Sequence, residues 1–291
     1  MATVMDCKAL SESIIEDLKE RVSKLNAKGK SVGLATIVVG DDPASAIYVH
    51  NKEKACKELG IFAETIHLPA STTQRELEAT IDRVMRDGKI NGAIVQLPLP
   101  EGLDESKALI RVFPEKDADG FHINNIGRLS KNQEGLVPCT PKGIMRLLEE
   151  YEIPMEGKKA VVVGRSNIVG KPIAMMLLNK DCTVTVCHSK TENLAEITAE
   201  ADILVVAVGS PKLITADMVK EGAVVIDVGI NRTDDGIVGD VDFDAVEPIA
   251  GYITKVPGGV GKMTVAMLMQ NVVEMAENMY FNSYNGNIYE L

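Results

Sequence analysis

The sequence is poor in aromatic residues: it has no tryptophan, and Phe, Trp and Tyr together make up 4% of its 291 residues. A core must therefore be built from aliphatic side chains and methionine. Cysteine supplies no recognisable motif either, because no C-x-x-C pair and no Cys/His cluster occurs. The cysteines are scattered and odd in number: Cys7, Cys56, Cys139, Cys182 and Cys187. We expect small buried thiols in a reducing compartment and no metal site.

Positive charge is also in short supply. The chain has 31 Lys and Arg against 42 Asp and Glu, a formal net charge of −11. This balance argues against nucleic acid or an anionic membrane as the main partner. No window approaches the length of an apolar membrane span, and the opening M-A-T-V-M-D-C-K has no apolar signal core. We therefore expect a cytoplasmic protein in which any anion site is locally basic.

Helix and strand patterns alternate along the chain, which is typical of parallel βαβ units. The stretch 117–140 is rich in glycine and proline, so we expect a loop and a domain boundary there. Apolar spacing predicts helices at 9–24, 45–59 (with Ser45 as a cap), 73–87, 143–151 and 263–279. Buried-strand patterns occur at 31–39, 62–68, 92–97, 161–163, 183–187, 203–208 and 223–228.

The most informative stretch is 160–172, A-V-V-V-G-R-S-N-I-V-G-K-P. An apolar β-branched run stops at Gly164, a polar loop follows, and Gly170 leads into the apolar segment 173–178. This order predicts a strand, a glycine turn and a helix N-terminus, whose N–H groups and dipole suit a phosphate. The spacing is not G-x-G-x-x-G, so a purely structural turn stays open.

The next predicted strand, 183–187, ends at H-S-K (188–190). In dinucleotide folds the end of this strand meets the adenosine ribose, and an NAD site normally offers Asp or Glu there. That acid is absent here, and Arg165 supplies a cation just after the first glycine. Arg165 and Ser189 therefore predict a pocket for a ribose 2′-phosphate, and hence NADP. The alternative is that Arg165 and Lys190 are solvated surface charges.

Two stretches of the first half carry candidate chemistry. Tyr48 and Lys52 have i, i+4 spacing, which places both on one face of a helix. An ordinary helix with an exposed lysine is the alternative. Gln96 is predicted at the carboxyl end of a parallel strand, where α/β sheets bind ligands. It is either a satisfied hydrogen-bonding residue or a positioning group, and spacing alone does not choose.

The motifs that carry a family resemblance are S-A-I-Y-V-H-N-K (45–52), V-Q-L-P-L-P (95–100), K-D-A-D-G-F-H (116–122), P-C-T-P-K-G (138–143), V-V-G-R-S-N-I-V-G-K-P (162–172), C-H-S-K-T (187–191) and P-G-G-V-G (257–261). Together they resemble the bifunctional methylenetetrahydrofolate dehydrogenase/methenyltetrahydrofolate cyclohydrolase family. They run in the family's order and cover nearly the whole chain.

This resemblance implies two α/β domains and two reactions in one cleft between them. We expect a folate-binding catalytic domain at 1–139, with 268–291 packing back on it, and a Rossmann-type NADP-binding domain at 140–267. A hydride would pass from 5,10-methylenetetrahydrofolate to NADP, and water would then open the methenyl product to 10-formyltetrahydrofolate. The family also implies a homodimer formed through the nucleotide domain.

The resemblance further assigns roles to residues. Lys52 is the expected catalytic residue, Gln96 its neutral orienting neighbour, Tyr48 a ring packed along the folate, and Asp119 an acceptor for the pterin amine. The expected substrate contacts are Tyr48, Lys52, Gln96, Leu97, Asp119, Pro257, Gly258 and Gly259. The expected cofactor contacts are Gly164, Arg165, Ser166, Val169, Gly170, Ser189 and Ile230. Asp117 is left outside the predicted site.

The chain departs from the family pattern at Lys255 and Lys262, where the family usually has proline. We expect this to affect the stiffness of the loop more than the activity. Two alternatives stay open: a Rossmann-type binding protein that has lost the chemistry, and a relative that keeps one activity or uses NAD. The retention of Lys52, Gln96 and Asp119 argues against the first.

Overall fold

The computed structural model describes residues 1–234 and 236–284. The helices are α1 Cys7–Ala27, α2 Pro43–Leu59, α3 Gln74–Arg86, α4 Glu105–Arg111, α5 Ile123–Ser130, α6 Cys139–Glu150, α7 Gly170–Leu178, α8 Leu194–Thr198, α9 Phe243–Val246 and α10 Val260–Tyr284. The strands are β1 Thr3–Val4, β2 Gly33–Val39, β3 Phe62–Leu68, β4 Gly92–Val95, β5 Lys159–Val163, β6 Thr183–Cys187, β7 Ile203–Val206, β8 Val224–Asp227, β9 Asn231–Thr233, β10 Gly236–Val238 and β11 Tyr252–Ile253.

The chain forms two compact units. The six-stranded unit comprises Met1–Glu12, Leu129–Gln133 and Val137–Thr264. The three-stranded unit comprises Ser13–Arg128, Glu134–Leu136 and the chain from Val265 on. Residues 1–12, which we expected in the first domain, thus group with the six-stranded unit, because β1 pairs in parallel with β11. Within the predicted returning segment 268–291, residues 285–291 lie outside the described residues.

The main sheet of the six-stranded unit has the order β1-β11-β8-β7-β5-β6, and every neighbouring pair is parallel. Its central strands are runs of valine and isoleucine, and β7 and β8 are buried along their whole length. Such runs suit strands that are covered on both faces. Strand β5 has β6 on one side and β7 on the other, so the chain reverses direction across the sheet at β5. The predicted α/β fold with parallel strands and a Rossmann-type domain is confirmed.

The three-stranded unit is built on the parallel sheet β3-β2-β4. Helix α3 begins with a capping box between Thr73 and Glu76, and it buries Leu77 and Ile81 completely. Helix α10 packs against β4 at Gly92, where a Cβ would lie 3.2 Å from side-chain atoms of both Val272 and Met275. The absence of a side chain at Gly92 lets this helix approach, and the expected return of the C-terminal helix is confirmed.

Three local expectations were wrong. Helix α2 begins at Pro43 rather than after a Ser45 cap, since a proline without an N–H group is tolerated in the first helical turn. Strand β4 ends at Val95, so Gln96 and Leu97 belong to the loop that follows it. Helix α5 lies within the stretch 117–140 that we expected to be loop.

None of the described helices is long and apolar enough to cross a membrane.

Candidate active site

Lys52 and Gln96 meet in the three-stranded unit. The Nζ atom of Lys52, on α2, lies 3.1 Å from Oε1 of Gln96, which directly follows β4. The Gln96 backbone N–H donates to the Ile37 carbonyl at 2.9 Å, and its Nε2 donates to the Leu97 carbonyl at 2.8 Å. These bonds fix the amide so that its oxygen faces the lysine. Because the amide carries no charge, Gln96 can orient the amine without forming an ion pair.

Tyr48 lies one turn before Lys52 on α2, as the i, i+4 spacing predicts. Its side chain is 42% exposed, whereas Lys52 is half-buried. The exposed ring is a flat surface beside the lysine that a planar ligand could stack on. Leu97 is half-buried after Gln96. The roles assigned to Tyr48 and Leu97 stay predictions.

Asp119 occupies a loop that is anchored by its neighbours. The Asp117 carboxylate is 4% exposed and accepts bonds from the His122 N–H and the Asn125 amide, each at 2.8 Å. The Ala118 carbonyl accepts a bond of 3.0 Å from Asn271 on α10. Burial raises the pKa of Asp117, and the bonds to His122 and Asn125 act in the opposite direction. The half-buried Asp119 thus stands on a loop of defined conformation.

Asp117 is the residue of this loop that sequence reasoning missed. It forms a parallel bridge with Ala93 of β4, and it caps the entry to α5 through its bond to His122. We left it out because it precedes the D-G-F-H segment, 119–122, that carries Asp119. Only burial separates the anchoring carboxylate from the accessible one.

The glycine turn after β5 forms a cradle in the six-stranded unit. Gly164 has φ of +126°, and a Cβ there would collide with the Ala207 carbonyl oxygen. A Cβ on Gly170, the first residue of α7, would collide with the Gly164 carbonyl oxygen. Both positions therefore require glycine for close packing. The Ser166 hydroxyl accepts 3.2 Å bonds from the N–H groups of Val169 and Gly170, so it holds the turn that leads into α7.

The strand pairing brings the predicted 2′-phosphate residues to the same edge of the sheet. Val163 of β5 lies opposite Cys187 of β6, and the Gly164 N–H donates to the Cys187 carbonyl at 2.9 Å. Arg165 and Ser189 follow these strand ends, and both are exposed. No acidic residue occurs at 188–190. Ser189 thus stands where an NAD site would carry an acid, and Arg165 follows the end of the neighbouring strand.

The loops after β8 and β11 hold the remaining predicted residues. Ile230 is 49% exposed, and a Cβ on Gly261 would lie 3.6 Å from its Cδ1. Pro257 and Gly258 are exposed, and Gly259 is buried, where a Cβ would collide with the Lys255 carbonyl oxygen. The Lys255 ammonium lies 5.3 Å from the Phe243 ring centroid.

Within the described ranges no group of three or more His, Cys, Asp or Glu could hold a metal ion.

Two models of one protein family match the chain, one over each of the two regions that carry candidate site residues. The catalytic-domain model of tetrahydrofolate dehydrogenase/cyclohydrolase matches residues 5–119, and the NAD(P)-binding-domain model of that family matches residues 138–280. The chain belongs to the tetrahydrofolate dehydrogenase/cyclohydrolase family. The first match contains Lys52, Gln96 and Asp119, and the second contains both glycines of the cradle.

Similar members of the tetrahydrofolate dehydrogenase/cyclohydrolase family cover almost the whole chain. The bifunctional protein FolD of Moorella thermoacetica is 54% identical over 94% of this chain and 99% of its own. The crystal structure of the Campylobacter jejuni bifunctional enzyme FolD is 51% identical, with a TM-score of 0.95 over 96% of this chain and 100% of that one. The Trypanosoma brucei enzyme, solved with NADP and an inhibitor, is 40% identical, with a TM-score of 0.92 over 96% and 98% of the two chains.

Proposed function

We propose that this chain catalyses two consecutive reactions of one-carbon folate metabolism. The first transfers a hydride from the methylene carbon of 5,10-methylenetetrahydrofolate to NADP and gives 5,10-methenyltetrahydrofolate. The second adds water to the methenyl carbon and breaks one of its bonds to nitrogen, which gives 10-formyltetrahydrofolate and releases a proton. The observation that carries this proposal is the Lys52–Gln96 pair in a chain matched by both domains of the family.

The residues present fit a dinucleotide, and they fit NADP better than NAD. Gly164 and Gly170 leave the space that a Cβ would fill, beside the N-terminus of α7, where the pyrophosphate would bind. Arg165 and Ser189 would hold the 2′-phosphate. Ser166, Val169 and Ile230 complete the proposed cofactor contacts. When bound, NADP supplies the hydride-accepting nicotinamide ring.

Lys52 is the proposed acid/base group. As an ammonium it would polarise the polar atoms of the folate, and as a neutral amine it would accept a proton from the attacking water. Gln96 holds Nζ in place without adding a charge that would compete for the proton. Tyr48 and Leu97 would position the pterin, while Asp119 would accept bonds from its amine donors. Pro257, Gly258 and Gly259 would let backbone approach the substrate.

The cellular setting is part of the same proposal. All five cysteines are buried and none of them forms a disulfide, which supports a reducing compartment such as the cytoplasm. A homodimer formed through the nucleotide-binding domain is proposed from the family resemblance. Sedimentation of the purified chain would test the dimer directly, since a monomer at micromolar concentration would contradict it.

The deciding experiment supplies purified protein with 5,10-methylenetetrahydrofolate and either NADP or NAD, and it follows the methenyl and formyl products separately. We expect both products with NADP and much slower turnover with NAD. Accumulation of the methenyl product would instead identify a dehydrogenase that lacks the second activity. Equal rates with the two cofactors would contradict the assignment of Arg165 and Ser189. Binding of folate without turnover would identify a protein that has lost the chemistry.

A further inference from the structure

Two aspartates and two glycines pack tightly against one another next to the loops that follow β7 and β8. Asp227 ends β8 and is 3% exposed, and Asp240 follows β10 and is fully buried. A Cβ on Gly239 would collide with the Asp227 carboxylate, and a Cβ on Gly229 would collide with the Asp240 carboxylate. Each carboxylate thus occupies the space left by the glycine beside the other aspartate. Neither glycine needs a positive φ, so the requirement at both positions is space.

Asp227 holds the segment that carries Asp240. Its Oδ1 accepts bonds from the N–H groups of Gly229 at 2.9 Å and Asp240 at 3.0 Å. Its Oδ2 accepts a bond from the Val241 N–H at 3.0 Å. These bonds join the end of β8 to the chain after the β9–β10 hairpin. They fix where the Asp240 side chain starts.

Asp240 in turn holds the loop after β7. Its Oδ2 accepts bonds from the N–H groups of Val208 at 2.7 Å and Gly209 at 3.0 Å. Its Oδ1 accepts bonds of 2.8 Å from the Ser210 N–H and from the Asn231 amide. Since N–H and C=O of a trans peptide point in opposite directions, the carbonyls of 207–209 face away from Asp240. One buried carboxylate therefore sets the conformation of three consecutive peptides.

The position of these loops in the sheet indicates which half of the dinucleotide they serve. In doubly wound folds the dinucleotide crosses the carboxyl edge of the sheet where strand order reverses, here at β5. The adenosine half belongs to the β6 side, where Arg165 and Ser189 lie. The nicotinamide half therefore belongs to the β7 and β8 side. The loops held by Asp240 carry the exposed Val208 and the exposed Ile230, which belongs to the proposed cofactor site.

We propose that Asp240, seated by Asp227, is a positioning residue that fixes the loops after β7 and β8 for the nicotinamide half of the dinucleotide. This inference rests on the proposed function. It assigns the pair to hydride transfer and not to hydrolysis, because Lys52 and Gln96 lie in the other unit. Neither aspartate would touch the cofactor, and both act through the backbone of the loops that they hold.

The test is Asp240→Asn, which keeps the size of the side chain but replaces one acceptor oxygen with a donor. Dehydrogenase activity is measured with methylenetetrahydrofolate, and cyclohydrolase activity with methenyltetrahydrofolate supplied directly. We expect the dehydrogenase to fall by about 10-fold or more, since a misplacement of about 1 Å remote from the chemistry can cost about 10²-fold. The cyclohydrolase should stay within about twofold, as none of its groups is moved.

A binding measurement separates this effect from general loss of folding and from failure of the proposed function. NADP should bind Asp240→Asn more weakly, whereas adenosine 2′,5′-bisphosphate, which lacks the nicotinamide half, should bind as before. Equal weakening of both ligands, or parallel loss of both activities, would overturn the inference. If the unmodified chain lacks one activity, the proposed function fails, yet the ratio of the two affinities still decides the role of Asp240.

Two further variants complete the design. Asp202→Asn removes a carboxylate at the opposite end of β7, where it accepts bonds from the Lys159 N–H and from Lys220. This control should leave the ratio of the two activities and the ratio of the two affinities unchanged. If Asp240→Asn does not fold, Asn231→Ala is used instead. It removes the 2.8 Å side-chain donor to Asp240, together with a longer 3.4 Å bond to the Val238 carbonyl, and it should produce a smaller selective effect of the same kind. Unchanged ratios in a folded Asn231→Ala would then overturn the proposal.

Discussion

The Lys52 ammonium is held 3.1 Å from the side-chain oxygen of Gln96, and the same Gln96 amide donates to the Leu97 carbonyl at 2.8 Å. The two bonds fix both ends of the amide, so the lysine faces an acceptor that cannot turn over without losing a bond. A lysine on a helix and a glutamine after a strand are thereby held as a pair. The first prediction uses Lys52 of this pair to distinguish the dehydrogenase reaction from the cyclohydrolase reaction.

Lys52→Met keeps much of the apolar stem and removes the titrating group. Hydride transfer depends mostly on how the reactants are placed, whereas hydrolysis also needs proton transfer. We expect cyclohydrolase activity to fall by about 10²-fold or more, the usual scale for general acid–base catalysis. Dehydrogenase activity should fall less, so methenyltetrahydrofolate should accumulate in a coupled assay.

Lys54→Met is the matched control, because Lys54 is an exposed lysine on the same helix. It should leave both rates unchanged. Gln96→Ala should show a milder form of the Lys52 effect, since the amide only orients the amine. Unchanged cyclohydrolase activity in Lys52→Met would contradict the catalytic role of Lys52 and identify it as an ordinary lysine on a helix face.

Elements with local signals could be predicted from the sequence. The junction from β5 through Gly164 to α7 has a buried valine run, a glycine turn and an apolar helix within one short stretch, so each part supports the next. Strands β1 and β11 have only two residues each, and they exist because Thr3 lies opposite Tyr252 from the far end of the chain. Pairing at such distance leaves no local pattern.

The parts of the site that were missed depend on contacts between residues distant in sequence or on side chains that stabilise a weak helix. Helix α5 has a sequence of low helix propensity, I-N-N-I-G-R-L-S, and the bonds of Asp117 to His122 and Asn125 support its first turn. Asp240 accepts bonds from a loop about 30 residues earlier in the chain, so no sequence pattern close to Asp240 indicates its role. Lys52 and Gln96 could be proposed only through the family resemblance, because their spacing alone also fits an ordinary helix lysine and a satisfied amide.

The second prediction concerns cofactor selectivity. Arg165→Ala removes the cation proposed to bind the 2′-phosphate, a charge-assisted contact. The Michaelis constant for NADP should rise by about 10-fold or more, and that for NAD should hardly change. Lys180→Ala is the control: this lysine of the same unit pairs with Glu149 at 3.5 Å. A rise of both Michaelis constants in Arg165→Ala would indicate damage to the turn rather than loss of a phosphate contact.

The third prediction concerns Asp119. If its carboxylate accepts bonds from the pterin amine, Asp119→Ala should weaken folate binding and reduce both activities while NADP affinity stays the same. Isothermal titration with folate and with NADP measures the two affinities independently. Glu115→Ala, an exposed carboxylate shortly before this loop, provides the control. Unaltered folate affinity in Asp119→Ala would leave Asp119 with a structural role only.

The last prediction concerns the pH dependence of stability. Burial raises the pKa of Asp227 from its ordinary value of 3.8 to about 6, while the N–H groups of Val241, Asp240 and Gly229 act in the opposite direction and the Asp240 carboxylate adds to the rise. The folded chain therefore binds this proton more tightly than the unfolded chain does. The contribution of Asp227 to the unfolding free energy is fully present below about pH 4 and is lost as the pH rises through about 6, a change of about 3 kcal/mol.

Asp227→Asn cannot titrate, so it isolates this contribution. Urea unfolding of both proteins, followed by circular dichroism from pH 4 to 7, should show the unfolding free energy of the unmodified chain declining relative to the variant, with the change nearly complete at about pH 7. Asp202→Asn should behave differently, because the bond from Lys220 lowers the pKa of Asp202. The contribution of Asp202 to the unfolding free energy is therefore lost only as the pH falls below 3.8, the ordinary pKa of an aspartate. A difference between the unmodified chain and Asp227→Asn that stays constant from pH 4 to 7 would show that Asp227 titrates in the folded chain as it does in the unfolded one.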